Sequence, residues 1–127
     1  MRTVEVPKEK KERLLRWVKA LESGRYKQGR FMLKSADNEY CCLGVACNVA
    51  KQDLKLRWET KLYRGSLGII GKDVTYKTAA LPPRVRKWLG ISTAFEEKLM
   101  TMNDSHNLTF KEIAAVIRKK YNLGEKK

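Results

Sequence analysis

Apolar residues Leu14, Leu15, Val18 and Leu21 recur at helical spacing between Glu9 and Glu22, while Lys10, Glu12, Arg13 and Lys19 fall outside that face. A stripe of this period is what a helix with one buried side requires, so the spacing predicts an amphipathic helix over 9–22. Ser23-Gly24 closes it, because glycine accepts the left-handed conformation that follows a helix end. Between Cys42 and Ala50 the apolar Leu43, Val45, Ala46, Cys47 and Val49 go round the whole circumference. That pattern predicts a short helix buried at the centre of the core, with Gly44 permitting a close approach. Phe31–Lys34 and Asn38–Cys41 flank the turn-forming Ser35-Ala36-Asp37-Asn38 and predict a small hairpin or two short extended pieces. Trp, Tyr, Thr, Ile and Val between Leu56 and Lys77, broken by Gly65, Gly68 and Gly71, predict two or three short strands.

The second half reads as helices. Leu81-Pro82-Pro83 opens one whose apolar face is Val85, Trp88 and Leu89 and whose stop is Gly90. Thr93 and Glu96 form a capping-box pattern ahead of Phe95, Leu99 and Met102, predicting a helix over 94–102. Thr109 and Glu112 repeat the signature before Ile113, Val116 and Ile117, with Arg118, Lys119 and Lys120 loading the last turn. The sum is one α+β domain over 1–127: an N-terminal amphipathic helix, a small antiparallel sheet around a buried cysteine-containing helix, and C-terminal helices. Residues 1–8 and 123–127 are expected to be loosely held.

Charge changes this picture from a fold to a candidate binder. Twenty-eight Lys and Arg face fourteen Asp and Glu in 127 residues, a net charge of +14. A small domain carries a magnitude of roughly 2 to 8. Such an excess attracts nucleic acid, phosphate ligands or acidic protein surfaces, although it also serves plain solubility. The excess sits towards the ends: residues 1–36 hold eleven cations against four acids and 79–127 ten against five, while 37–78 is nearly balanced at seven against five. No stretch approaches the roughly 18 apolar residues of a membrane span. Three close cysteines, Cys41, Cys42 and Cys47, are an odd set in an apolar stretch, which points to reduced thiols and a cytoplasmic setting.

Candidate chemistry is sparse. Zinc-type Cys pairs are missing and the lone His106 is far along the chain, so no metal or cofactor is expected. A Cys and His pair could be written from any of the cysteines with His106, oriented by Asp104 or Asn103, but Asn103-Asp104-Ser105-His106-Asn107 also reads as an ordinary turn. The run Gly65 to Lys72 fails the phosphate-loop frame, with Ser66 for its first glycine and Asp73 for its hydroxyl. Leu108 to Ile117 looks like the first helix of a helix-turn-helix reader, without room for a recognition helix after it. Better suited to a polyanion are two places where cations meet aromatic or amide groups: Arg25, Tyr26, Lys27, Gln28 and Arg30 in one loop, and Arg57, Trp58 and Arg64 (with Tyr63) in the strand region. Such groups grip phosphate and stack on bases.

Three phrases read together, Tyr40-Cys41-Cys42-Leu43-Gly44-Val45-Ala46-Cys47, Leu81-Pro82-Pro83-Arg84-Val85-Arg86-Lys87-Trp88-Leu89-Gly90, and Met102-Asn103-Asp104 followed by Leu108-Thr109-Phe110-Lys111-Glu112-Ile113-Ala114, resemble a group of small uncharacterised bacteriophage-encoded proteins. The resemblance implies an accessory phage protein acting in the bacterial cytoplasm and carries over no catalytic residue. The expectation is therefore a non-enzymatic protein that binds nucleic acid with low sequence specificity. The alternative is a host-directed, anti-defence inhibitor that docks on an acidic bacterial protein or sequesters a nucleotide signal. A Cys/His enzyme ranks third.

Overall fold

Helix α1 (Lys8–Glu22) buries Leu14, Trp17, Val18 and Leu21 along one stripe. In the computed structural model, which describes residues 6–63, 65–72 and 74–124, it is followed by strands β1 (Lys27–Gln28), β2 (Lys34–Ser35) and β3 (Glu39–Tyr40). Helix α2 (Cys42–Leu54) and strands β4 (Leu56–Tyr63), β5 (Ser66–Gly71) and β6 (Val74–Lys77) come next. Helices α3 (Pro83–Leu89), α4 (Thr93–Asp104) and α5 (Phe110–Tyr121) complete the order. This is an α+β domain.

The sheet runs β1-β3-β2-β5-β4, with β6 also on β5. Every pair is antiparallel except β1 with β3, which lie parallel with Lys27 opposite Glu39 and Gln28 opposite Tyr40. The expected antiparallel sheet is thus mixed, because the chain from β1 reaches β3 only after the β2 hairpin has turned it back.

Helix α2 is the buried axis that the apolar circumference predicts: Cys42 to Cys47 and Ala50 are all inaccessible. It continues past Ala50 to Leu54, where Lys55 takes a left-handed φ of 55° and closes it. The close approach at Gly44 is real, since a Cβ there would lie 1.7 Å from the Leu33 carbonyl oxygen. Trp17 donates its indole N–H to the Cys42 carbonyl at 3.0 Å and so joins α1 to the head of α2.

The C-terminal helices pack as their signatures suggest, with one exchange of roles. Thr109 and Glu112 form the reciprocal capping box of α5, at 3.2 and 2.9 Å. In α4 the cap is Ser92, whose hydroxyl accepts from Phe95 N at 3.1 Å, and Thr93 is already helical. Glu96 is free for other work: nearly inaccessible, it accepts from the Leu81 N–H at 2.9 Å and from Arg86 Nε at 2.6 Å. Helix α1 packs on α5, α2 and α3. Arg118 of α5 meets both carboxylate oxygens of Glu22 at 2.8 Å. At the ends, Lys8 already belongs to α1 and Leu123 is buried, so the fold holds more of the chain than expected there. Residues 1–5 and 125–127 of that expectation lie outside the described residues.

Candidate nucleic-acid interface

Arg16 and Lys19 stand three residues apart on α1 and therefore share one solvent-facing row, which Ser23 extends. Ser23 holds the following loop: its hydroxyl donates to the Ala20 carbonyl at 2.7 Å and accepts from Arg25 N at 3.2 Å. Val49 of α2 lies opposite. Together Arg16, Lys19, Ala20, Ser23, Arg25, Tyr26 and Val49 line a groove of about 530 Å³. Arg16 is partly committed, donating to Asp53 Oδ2 at 3.0 Å and to the Val49 carbonyl at 3.2 Å. Among the described residues Lys19 and Arg25 have exposed side chains with no ion-pair partner. The groove thus presents two cations without an ion-pair partner among the described residues and a third held by a carboxylate.

Below Tyr26 runs a half-buried polar and aromatic relay. Asn48 of α2 donates to the Tyr26 hydroxyl at 2.8 Å and accepts from the Trp58 indole N–H at 2.9 Å. Tyr40 sets its ring edge-on to Tyr26 at 5.0 Å and to Trp58 at 6.1 Å. The Lys34 ammonium lies 5.3 Å from the Tyr40 ring and 5.4 Å from Trp58. Burial lowers its pKa below the ordinary lysine value, and proximity to Tyr26 works against that. Burial also raises the Tyr40 phenol. The relay fixes Tyr26 as the groove wall. It also uses the polar edge of Trp58 internally.

The loop residues divide sharply. Gln28 points inward and donates to the Asn103 side-chain carbonyl at 3.0 Å and to the Leu108 carbonyl at 2.8 Å. Lys27 pairs with Glu39 across the parallel rung at 3.3 Å. Arg30 is exposed and has no partner among the described residues. Strand alternation places Arg57 on the face away from Trp58, where it pairs with Glu59 at 3.8 Å. Arg64 lies outside the described residues. The structure therefore brings Arg25 and Tyr26 into one site, couples Trp58 to it through Asn48, and separates Gln28, Lys27 and Arg57 from it. Arg16 is not among the residues the sequence singles out, and Lys19 reads there, with Lys10 and Arg13, as part of a solvated helix face; in the fold both line the groove. Their signal was the row Arg16, Lys19, Ser23 on the polar face of a helix that the pattern had already placed.

The other chemistry recedes. All three cysteines are free and buried. Burial pushes the Cys41 thiol up to about 12 despite backbone N–H groups that favour its thiolate, and lifts Cys42 and Cys47 well above the ordinary value. His106 is exposed just beyond the end of α4. Gly65, with φ of +80°, is the turn between β4 and β5, and Asp73 is outside the described residues. Ile113, Ala114 and Ile117 of α5 are spent on the core. Among the described residues no three potential metal ligands gather, and no helix is long and apolar enough to cross a membrane.

Residues 8–121 match the model of a family described as Domain of unknown function (DUF8296). No curated protein matches the chain, and no solved structure does.

Proposed function

The chain belongs to the DUF8296 family, and we propose that it acts by binding a phosphate-rich partner, nucleic acid foremost, in the groove between α1 and α2 without chemical catalysis. One observation carries this: Lys19 and Arg25, with no ion-pair partner among the described residues, converge with Arg16 and Tyr26 on a single concavity of about 530 Å³. Cations held over one concave surface focus potential more than the same charges scattered. Backbone phosphate contacts of this kind carry no sequence information, which fits low specificity. Buried, proton-holding thiols are poor nucleophiles, which weighs against the Cys/His reading. The resemblance to bacteriophage-encoded proteins supports an accessory task in the bacterial cytoplasm.

The groove also has the volume of a small-molecule site, roughly 300 to 1,000 Å³. A sequestered nucleotide is therefore the second reading, and a nucleotide co-purifying with the protein in stoichiometric amount would favour it. The test of the first is salt-titrated fluorescence anisotropy with unrelated oligonucleotides. Log affinity should fall linearly with log salt, by roughly 0.7 to 0.9 per phosphate contacted, and equally for different sequences. Absence of binding at low salt, or a flat salt response, contradicts it.

A further inference from the structure

Phe31 is the one large apolar side chain among the described residues that stands in water, 69% exposed. Its backbone has a φ of 66°, the left-handed region that bulky residues rarely enter. Strain of this kind persists only where the surroundings over-determine it. Here they do. The Phe31 N–H donates to Asp104 Oδ1 at 3.0 Å, and the same oxygen accepts from Asn103 Nδ2 at 2.9 Å. Asn103, wholly buried, also donates to the Gly29 carbonyl at 2.9 Å and accepts from Gln28 Nε2 at 3.0 Å and Cys42 N at 3.2 Å. Two residues on, Leu33 is fully buried.

The loop is therefore pinned on both sides of Phe31, and the pins hold its ring outward. No aromatic ring or cation within the described chain packs on it. Beside it is Arg30, exposed and unpaired among the described residues. An exposed guanidinium one residue from an exposed aromatic ring offers the two groups that hold a phosphate and stack on a base. Duplexes hide base faces inside their own stack, whereas an unpaired strand offers them.

We propose that Phe31 stacks on an unpaired base, and that the strand lying in the α1–α2 groove is single-stranded nucleic acid. This rests on the groove reading and narrows it. Arg25 and Phe31 are six residues apart and so at most ~20 Å apart. A short single strand covers that distance.

The experiment compares wild type, Phe31→Ala and Phe31→Trp on three probes: a thymine oligonucleotide, a duplex of equal length and inorganic polyphosphate. Wild type should prefer the oligonucleotide to the duplex. Phe31→Ala should weaken the oligonucleotide by roughly 5- to 150-fold, leave polyphosphate unchanged and keep the wild-type thermal midpoint to within a few degrees. Phe31→Trp should restore binding. Oligonucleotide affinity unchanged in Phe31→Ala, or an equal loss for polyphosphate, overturns base stacking. An unchanged affinity would remove the ring from the binding site while the groove reading stands. Failure of wild type to bind any of the three probes overturns both.

Discussion

Asn103 makes each of its polar atoms count. Its carbonyl oxygen accepts from Gln28 and from the first N–H of α2, and its amide donates to Gly29 and Asp104. Truncation would leave the Cys42 N–H unpaired in the interior and the half-buried Gly29 carbonyl without its donor, and an orphaned buried group costs about 1 to 3 kcal/mol. Asn103→Ala should therefore lose about 3 kcal/mol or more in urea unfolding, and the Phe31 loop should become more protease-sensitive. A loss under about 0.5 kcal/mol, the size of an ordinary surface change, contradicts the role given to it. The thiols and Tyr121 make a second prediction at this scale. In the fold, burial raises Cys41 from an ordinary 9.0, and Tyr121 from 10.0, to about 12 in each case. Unfolded, these groups lose their protons near their ordinary values while the folded chain retains them. Stability is thus fully present below about pH 9 and falls as pH rises towards 12. Thermal midpoints under reducing conditions should decline steadily from pH 9 to 11, and a flat profile contradicts it.

Among the elements, the two ends of the helical layer differ in what holds them. Thr109 caps α5 in an exposed capping box, whereas the Arg118–Glu22 pair locks α5 to α1 with both side chains about nine-tenths covered. Losing the cap should cost about 1 kcal/mol. Glu22→Ala leaves a guanidinium with little water and should cost about 3 kcal/mol or more. Urea unfolding of the two variants checks the order, and a cap loss larger than the ion-pair loss reverses it. Helices of this protein were legible because their stripes, prolines, glycines and caps are local signals. Glu96 shows the limit: its spacing from Thr93 has the form of a capping box, yet Ser92 caps α4 because the carboxylate is drawn to Arg86 and the Leu81 N–H. Those partners are set by tertiary packing. The parallel β1–β3 rung was hidden for the same reason, since two-residue strands carry no periodicity of their own.

For the whole molecule the question is whether a net charge of +14 is gathered or merely spread. The sequence located Arg25 and Tyr26 through the density of cations and aromatics around them. Arg16 and Lys19 could not be joined to them without knowing that α1 ends beside α2, and Gln28 could not be removed without knowing that Asn103 receives it. Three-dimensional convergence, rather than composition, distinguishes a binding groove from a solubilising surface. Two double variants separate these: Lys19→Glu with Arg25→Glu in the groove, and Lys111→Glu with Lys119→Glu on the exposed side of α5, which change net charge identically. Binding to a thymine oligonucleotide is measured for each across a salt series. The groove variant should lose most of its affinity, with a log–log salt slope shallower by about 1.4, roughly 0.7 for each lost phosphate contact, while the α5 variant keeps the wild-type slope. Equal effects of the two variants would mean that the charge acts diffusely and that the groove is not the site.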